Sequence, residues 1–247
     1  MNAINFDKLG ETLAGLTASF SATAAEYDRD GSFPFPNFAQ LHTHGLLALT
    51  IPATHGGGGA DLATTARVIR AVARGEPSTA LVLTMQYIFH RSMVRGWAPE
   101  VRDRVRQDAV RDGALINALR VEPELGTPSR GGLPATIGRR VDGGWRISGH
   151  KLYSTGFQSC IGSASWGRTD EAEPRVGFFL VPRAADGIEV VEKLEPPRYA
   201  AQRQPRGDFP RRVRSGGICR RSAAAGGMGG AHVRRPDLDD GAAVDDL

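Results

Sequence analysis

Two short blocks of sequence between residues 120 and 156 contain the residue types best suited to holding a cofactor. The first block, residues 121–127, reads Val-Glu-Pro-Glu-Leu-Gly-Thr. Pro123 and Gly126 break regular structure around a turn that ends in the hydroxyl of Thr127. Because such a turn exposes backbone N–H groups, it suits an anionic or carbonyl-rich ligand. A plain surface turn is the alternative interpretation of this block alone.

The second block, residues 145–153, alternates large apolar and polar side chains as Trp-Arg-Ile-Ser-Gly-His-Lys-Leu-Tyr. Alternation of this kind predicts a half-buried strand or hairpin. Tyr153 and Thr155 would then share one face of a strand, because side chains two residues apart point the same way. A Tyr and a Thr that simply fit a pleated sheet are the alternative.

The first half of the chain must form helices. Apolar residues recur at three- and four-residue steps at Phe6, Leu9, Leu13, Leu16 and Phe20, which predicts an amphipathic helix over the first 25 residues. Further helices are predicted over residues 37–44, after Asp61 as the cap and up to Gly75, over 79–94 with Ser78 as the cap, and from Pro99 to about 112.

From residue 114 the apolar period changes to that of strands. Short strands are predicted at 115–119, 135–141, 145–153, 164–168, 176–181 and 188–191, and Asp142-Gly143-Gly144 is a strong hairpin signal. The predicted fold class is therefore α+β, with an N-terminal all-helical domain at 1–113 and an antiparallel β-barrel domain at 114–195. Strands and helices do not alternate, which disfavours a Rossmann architecture.

Residues 196–247 differ in composition from the rest. They contain seven Leu, Ile, Val or Phe in 52 positions, together with ten Arg, six Asp and no Lys. This apolar supply is too small to offset the entropy of folding, so we expect a disordered Arg/Gly/Ala-rich tail. The whole net charge of +4 comes from this tail. Because the body is neutral and no aromatic residues alternate with the arginines, nucleic-acid binding is not expected.

Other features exclude further classes of protein. Cys160 and Cys219 have neither metal-ligand nor redox-pair spacing, which favours a reducing, cytoplasmic compartment. No apolar run is long enough to span a bilayer, and the first 25 residues lack the pattern of a signal peptide. The six histidines are scattered, so no metal site is predicted.

The two blocks resemble the flavin-binding middle domain of the acyl-CoA dehydrogenase family. The family pattern is a Thr-Glu-Pro-x-x-Gly-Ser-Asp loop followed by a Gly-x-Lys-x-Trp/Tyr-x-Thr strand. The first match is partial, since Val121 stands for Thr and Pro128 for Asp, whereas the second is close. The resemblance implies that seven residues contact the flavin: Arg120, Val121, Gly126, Thr127, Tyr153, Ser154 and Thr155.

The resemblance also implies an activity and partners. It implies α,β-dehydrogenation of an acyl-CoA thioester with FAD as hydride acceptor, an electron-acceptor flavoprotein and a homo-oligomer. A flavin-dependent monooxygenase of the same fold, with FMN as the alternative flavin, is the second reading. In that case His90 could face the substrate pocket, although a buried structural histidine is the simpler interpretation. The resemblance implies that the Thr127 hydroxyl meets the flavin phosphate or the acyl thioester substrate. A non-catalytic remnant or binding module is the third reading.

The resemblance stops after about residue 192. The family continues there with a helical bundle that supplies the catalytic glutamate and most of the subunit interface. The Arg-, Pro-, Gly- and Ala-rich composition of the tail suggests a GC-rich gene read out of frame. The sequence therefore predicts a frameshifted chain that is inactive alone, and the nucleotide sequence across codons 190–247 tests this.

Overall fold

Helices form the first half of the molecule. The computed structural model describes residues 4–123, 133–154, 156–157, 160–192 and 205–208, without the side chains of Ile161, 191–192 and 205–208. Its α-helices are α1 (Leu9–Asp30), α2 (Phe35–Thr43), α3 (Leu62–Gly75), α4 (Pro77–Arg91) and α5 (Pro99–Asp112). Short 3-10 helices occupy Leu46–Ala48, Ala53–His55 and Met93–Gly96. The predicted succession of helices is confirmed, and α5 has the predicted bounds.

Helix α1 begins and ends later than its apolar pattern indicates. Leu9, Leu13, Leu16 and Phe20 form the buried face, as predicted. Phe6 precedes the helix and is 47% exposed, so its inclusion in the helix was wrong. The C-terminal end is set by Gly31, which adopts φ 66° and donates its N–H to the carbonyl of Tyr27.

One of the two predicted helix caps is confirmed and the other is wrong. The Asp61 side chain accepts a hydrogen bond from the N–H of Thr64 at the start of α3. Helix α4, however, is capped by Glu76, whose carboxylate accepts from the N–H groups of Ser78 and Thr79. The reason is that Pro77 occupies the first helical position, which moves the cap to the residue before it.

The second half contains strands that form two sheets. The strands are β1 (Leu115–Leu119), β2 (Ile137–Val141), β3 (Gly144–Ser148), β4 (His150–Lys151), β5 (Cys160–Thr169), β6 (Val176–Pro182), β7 (Glu189–Glu192) and β8 (Pro205–Asp208). Strands β4, β7 and β8 form a three-stranded antiparallel sheet, and the other five form a mixed sheet. The long strand β5 pairs in parallel with β1 and β2 and antiparallel with β6. The expected antiparallel arrangement therefore holds for the β2–β3 and β5–β6 pairs but not for the β1–β5 and β2–β5 pairs. The predicted hairpin at Asp142-Gly143 joins β2 to β3.

The strand predicted over residues 145–153 is wrong at its C-terminal end. Strand β3 ends at Ser148, and β4 consists of His150 and Lys151 alone. Tyr153 adopts φ 59°, a left-handed conformation that an L residue rarely occupies within a strand. Tyr153 is therefore not part of a strand, and Thr155 lies outside the described residues.

The helices pack on one another and on the sheet. Phe89, Trp97 and Phe178 make edge and tilted ring contacts between α4, the segment before α5 and the sheet. Gln86 joins helix to strand, because its side-chain N–H donates to the carbonyl of Ala114 and its Oε1 accepts from the N–H of Ile116. Among the described residues, none of the helices combines the length and apolar character needed to cross a membrane. The predicted tail at 196–247 lies outside the described residues, apart from strand β8.

Candidate functional site

The two sequence blocks meet at an isolated antiparallel bridge. The N–H of Leu152 donates to the carbonyl of Val121 at 3.0 Å. This bridge places Arg120 and Val121, at the end of β1, beside Tyr153. Residues about 30 positions apart in sequence are thus joined where each leaves its strand.

A buried ion pair holds the same two blocks together. The Lys151 ammonium lies 2.6 Å from Oε1 of Glu122, and the two residues are 0% and 2% exposed. Lys151 also donates to the backbone carbonyl of Trp166 in β5. The ammonium therefore links the first block, the second block and the central strand of the sheet.

Glu122 accepts further hydrogen bonds from the segment that leads into β2. Its Oε2 accepts from the N–H of Ala135 at 2.7 Å, and its Oε1 accepts from the N–H of Thr136 at 3.0 Å. The Thr136 hydroxyl donates to the same Oε1. With Lys151, four donors converge on one carboxylate, which approaches the number of lone pairs that it offers.

The electrostatics agree with an ionised pair. Burial alone would raise the pKa of Glu122, but the hydrogen bonds from Lys151 and Thr136 outweigh burial and hold that pKa below its ordinary value. Burial lowers the pKa of Lys151, and the bond to Glu122 opposes this effect. The carboxylate is thus charged near neutral pH, and its partner is the buried ammonium.

The predicted cofactor residues differ in their surroundings. Tyr153 is 59% exposed, so its ring faces solvent beside the bridge. Ser154 is buried, and its hydroxyl has no hydrogen-bond partner among the described residues. Arg120 is exposed, with its guanidinium carbon 6.0 Å from the ring centre of Trp166. Gly126, Thr127 and Thr155 lie outside the described residues.

His90 lies in the interior between α4 and α5. It is 1% exposed, and its Nε2 is 3.0 Å from the side-chain nitrogen of Gln86. Because that Gln86 nitrogen donates, His90 Nε2 accepts, and the proton of a neutral ring resides on Nδ1. Burial, with the positive charge of Arg106, lowers the pKa of His90 to about 3.

Metal and thiol chemistry can be assessed only within the described ranges. There, no group of three His, Cys, Asp or Glu side chains could hold a metal ion. Cys160 is a free, buried thiol, and burial raises its pKa to about 12. A thiol of this kind stays protonated near neutral pH and is a poor nucleophile.

Glu122 and Lys151 are absent from the site residues predicted from sequence. Each stands in one of the two blocks, and the available signal was that Glu122 matches the Glu of the loop pattern and Lys151 the Lys of the strand pattern. Their pairing depends on the bridge between Val121 and Leu152, which local periodicity does not predict.

Comparison with known proteins identifies the fold. Residues 9–108 match the model of the acyl-CoA dehydrogenase N-terminal domain. The putative acyl-CoA dehydrogenase YdbM of Bacillus subtilis is 32% identical over 190 residues, which are 74% of this chain and 48% of that protein. L-evernosamine nitrososynthase of a Micromonospora species is 31% identical over 150 residues, 58% of this chain and 34% of the relative.

A solved structure agrees with these sequence matches. The structure of KijD3 in complex with FMN and dTDP-3-amino-2,3,6-trideoxy-4-keto-3-methyl-D-glucose superimposes with a TM-score of 0.68 and 26% identity. The superposition covers 83% of this chain and 53% of KijD3. This chain thus has the acyl-CoA dehydrogenase fold, and its residues 9–108 are similar to the N-terminal domain of that family. It spans about half the length of the relatives that it matches.

Proposed function

We propose that the junction of the two blocks forms one wall of a flavin site, and that the activity is that of a flavin-dependent oxidoreductase. The observation that carries this proposal is the Val121–Leu152 bridge, which brings Arg120 and Val121 to Tyr153 and Ser154. Relatives on the same fold, such as KijD3 in complex with FMN, support it.

The described residues fit a flavin on chemical grounds. The exposed ring of Tyr153 offers an aromatic face, and the exposed Arg120, which precedes the bridge residue Val121, offers a positive charge. The Ser154 hydroxyl is 1% exposed and has no partner among the described residues, so it would serve a ligand only if it became accessible, and it would then lose no described protein contact. A bound flavin would supply hydride acceptance at this wall. The residues of the chain would orient that ring and exclude water from one side of it.

The family points to FAD as the flavin and an acyl-CoA thioester as the substrate. Gly126, Thr127 and Thr155 complete the proposed flavin contacts by resemblance, and Thr127 would also meet the substrate. An electron-acceptor flavoprotein, a homo-oligomer and a cytoplasmic location belong to the same proposal. The same proposal includes the expectation that this chain is inactive alone.

A flavin-dependent monooxygenase that uses FMN is the second candidate. It is supported by Pro128, which stands where the dehydrogenase pattern has Asp, and by the similarity to L-evernosamine nitrososynthase. His90 would serve that candidate only if its ring became accessible, because it is 1% exposed here.

Flavin titration of the purified full-length chain tests the proposal. We expect weak binding, with resonances at Val121 and Tyr153 shifting in 1H–15N spectra as FMN or FAD is added. Tyr153→Ala should weaken that binding about three- to tenfold, as expected for loss of one aromatic contact. Tyr27→Ala, on α1 and far from the junction, is the matched control. Absence of flavin-induced shifts at the junction would refute the proposed site.

Turnover assays separate the two candidate reactions. Reduction of an artificial electron acceptor by acyl-CoA supports the dehydrogenase, and oxygen consumption with reduced FMN supports the monooxygenase. We expect neither from this chain alone, and the same assays on an intact homologue decide between them. Turnover at the rate of an intact family member would contradict the predicted inactivity.

A further inference from the structure

We propose that the Glu122–Lys151 ion pair is a positioning device for the flavin wall. It fixes where Arg120 and Val121 lie relative to Tyr153 and Ser154. This inference rests on the proposed function and assigns a task to two residues that touch neither the exposed ring of Tyr153 nor solvent. The two residues act through the backbone to which they are tied.

The pair ties four segments at one point. Glu122 belongs to the segment that follows β1, and Lys151 belongs to β4 just before Tyr153. The Trp166 carbonyl of β5 receives a hydrogen bond from Lys151, and the N–H of Thr136 before β2 donates to Glu122. Two of these four segments carry the proposed flavin contacts, and the other two belong to the sheet. The ion pair thus fixes the position of the proposed flavin contacts relative to the sheet.

Stability alone does not account for a charged pair in this place. Moving two charges out of water costs several kcal/mol each, and apolar replacements of similar volume are often neutral or stabilising. The two charges instead determine which group donates and which accepts each hydrogen bond, because a carboxylate only accepts and an ammonium only donates. A neutral amide at position 122 would turn a donor towards either the Ala135 or the Thr136 N–H. The charged pair therefore permits a single arrangement of the junction.

The backbone at the junction requires such a constraint. Tyr153 follows Lys151 by two residues and has φ 59°, a left-handed conformation that is unfavourable for an L residue and persists only where its surroundings enforce it. The Leu152 bridge and the Lys151 contacts precede Tyr153, and the hydrogen bond from the N–H of Phe157 to the carbonyl of Ser154 follows it. Loss of the pair would let the chain relax at Tyr153 and move the ring.

The double variant Glu122→Gln/Lys151→Met tests the inference, because it removes both charges and leaves no buried ion alone. The first measurement is amide hydrogen exchange at Leu152 and Thr136 in the full-length chain without ligand. The second is the FMN dissociation constant from shifts in 1H–15N spectra. We expect exchange to accelerate at least about tenfold at both amides and FMN binding to weaken about tenfold.

Two controls separate positioning from general loss of stability. Val181→Ala truncates a buried residue of the sheet core without touching the pair. The double variant Arg139→Met/Asp170→Asn removes an exposed ion pair of 2.7 Å at the edge of the same sheet. Both controls should keep the FMN dissociation constant within about twofold of the wild-type value.

The outcomes are distinguishable from those of the proposed function. Wild-type exchange at Leu152 and Thr136 in the Glu122→Gln/Lys151→Met variant would overturn the inference, as would faster exchange with unchanged FMN affinity. If the wild-type chain shows no FMN-induced shifts, the proposed function fails, and the exchange rates still decide whether the pair fixes the junction. Should the double variant not fold, Thr136→Val removes one donor to Glu122 without changing charge. It should weaken FMN binding about twofold to threefold, and an unchanged affinity would overturn the inference.

Discussion

The buried titratable side chains of this chain differ in whether they are charged. Glu122 and Lys151 remain charged because each supplies the counter-charge that the other needs. His90 has no such counter-charge among the described residues, and it faces the positive charge of Arg106, so it remains neutral. The difference arises because burial disfavours any charge unless hydrogen bonds and an opposite charge compensate.

The neutral state of His90 predicts a pH-dependent stability. Its pKa is about 3 in the folded chain and about 6.5 when exposed, so the unfolded chain binds the proton first as the pH falls. The contribution of His90 to stability is complete above pH 6.5 and decreases by about 1.4 kcal/mol per unit below it. At pH 5 the loss should be about 2 kcal/mol, measured as the free energy of unfolding in urea.

His90→Gln isolates this effect, since an amide keeps an acceptor for Gln86 but does not titrate. The difference in unfolding free energy between the wild-type chain and His90→Gln should change by about 2 kcal/mol between pH 7.5 and pH 5. A pH-independent difference for His90→Gln would show that the pKa of His90 is not lowered in the folded chain.

Helix α4 shows how one residue can determine where an element begins. Glu76 is 5% exposed, and its carboxylate also accepts from the hydroxyl of Thr79 at 2.6 Å. Gly75, the residue before it, has no room for a side chain, because an added Cβ would lie 2.8 Å from the carbonyl of Thr17. The turn between α3 and α4 is therefore fixed on both sides by close contacts with the helical core.

The cap assignment predicts opposite results for two neighbouring residues. Glu76→Ala should lower the free energy of unfolding by about 1–2 kcal/mol, because the N–H groups of Ser78 and Thr79 lose their acceptor. Ser78→Ala should change it by less than about 0.5 kcal/mol, since its described cap contact is the backbone N–H. Thermal unfolding of both variants measures the difference in stability. A larger loss of stability for Ser78→Ala than for Glu76→Ala would show that Ser78 is the cap, as the sequence indicates.

Polar contacts between described residues join the helical half to the sheet. Gln86 supplies two of them, and it satisfies the carbonyl of Ala114 and the N–H of Ile116 at the start of β1. Both backbone groups are buried, so neither finds water if Gln86 is lost. The strand that leads to the proposed flavin wall is thus anchored at its beginning by a helix.

Gln86→Leu should therefore destabilise the molecule by about 2–4 kcal/mol, from two buried backbone groups left without partners. Urea unfolding followed by circular dichroism and by tryptophan fluorescence measures the loss and shows whether helices and sheet still unfold together. Thr84→Ala is the control, because its hydroxyl bonds only within α4, to the carbonyl of Ala80 at 2.7 Å among the described contacts. A loss no larger than that of the control would mean that Gln86 does not join the two halves.

Local patterns in the sequence determined the order and type of most elements. The three- and four-residue apolar steps of α1, the Asp61 cap, Pro99 at the start of α5 and the Asp142-Gly143 hairpin depend on neighbours within a few residues. Such local interactions do not depend on which distant segments meet, so the sequence alone predicts them. The resemblance of the two blocks likewise identified the family, because motif residues are read along the chain.

Tertiary structure alone decided the pairing of β5 with β1 and β2 in parallel, the left-handed Tyr153 and the partnership of Glu122 with Lys151. Each of these depends on which distant segments meet, and a strand pattern does not encode its partner or direction. The charges of Glu122 and Lys151 are visible in the sequence. Their burial at 2.6 Å from each other, and hence the task proposed for them, exists only because the Val121–Leu152 bridge brings the two blocks together.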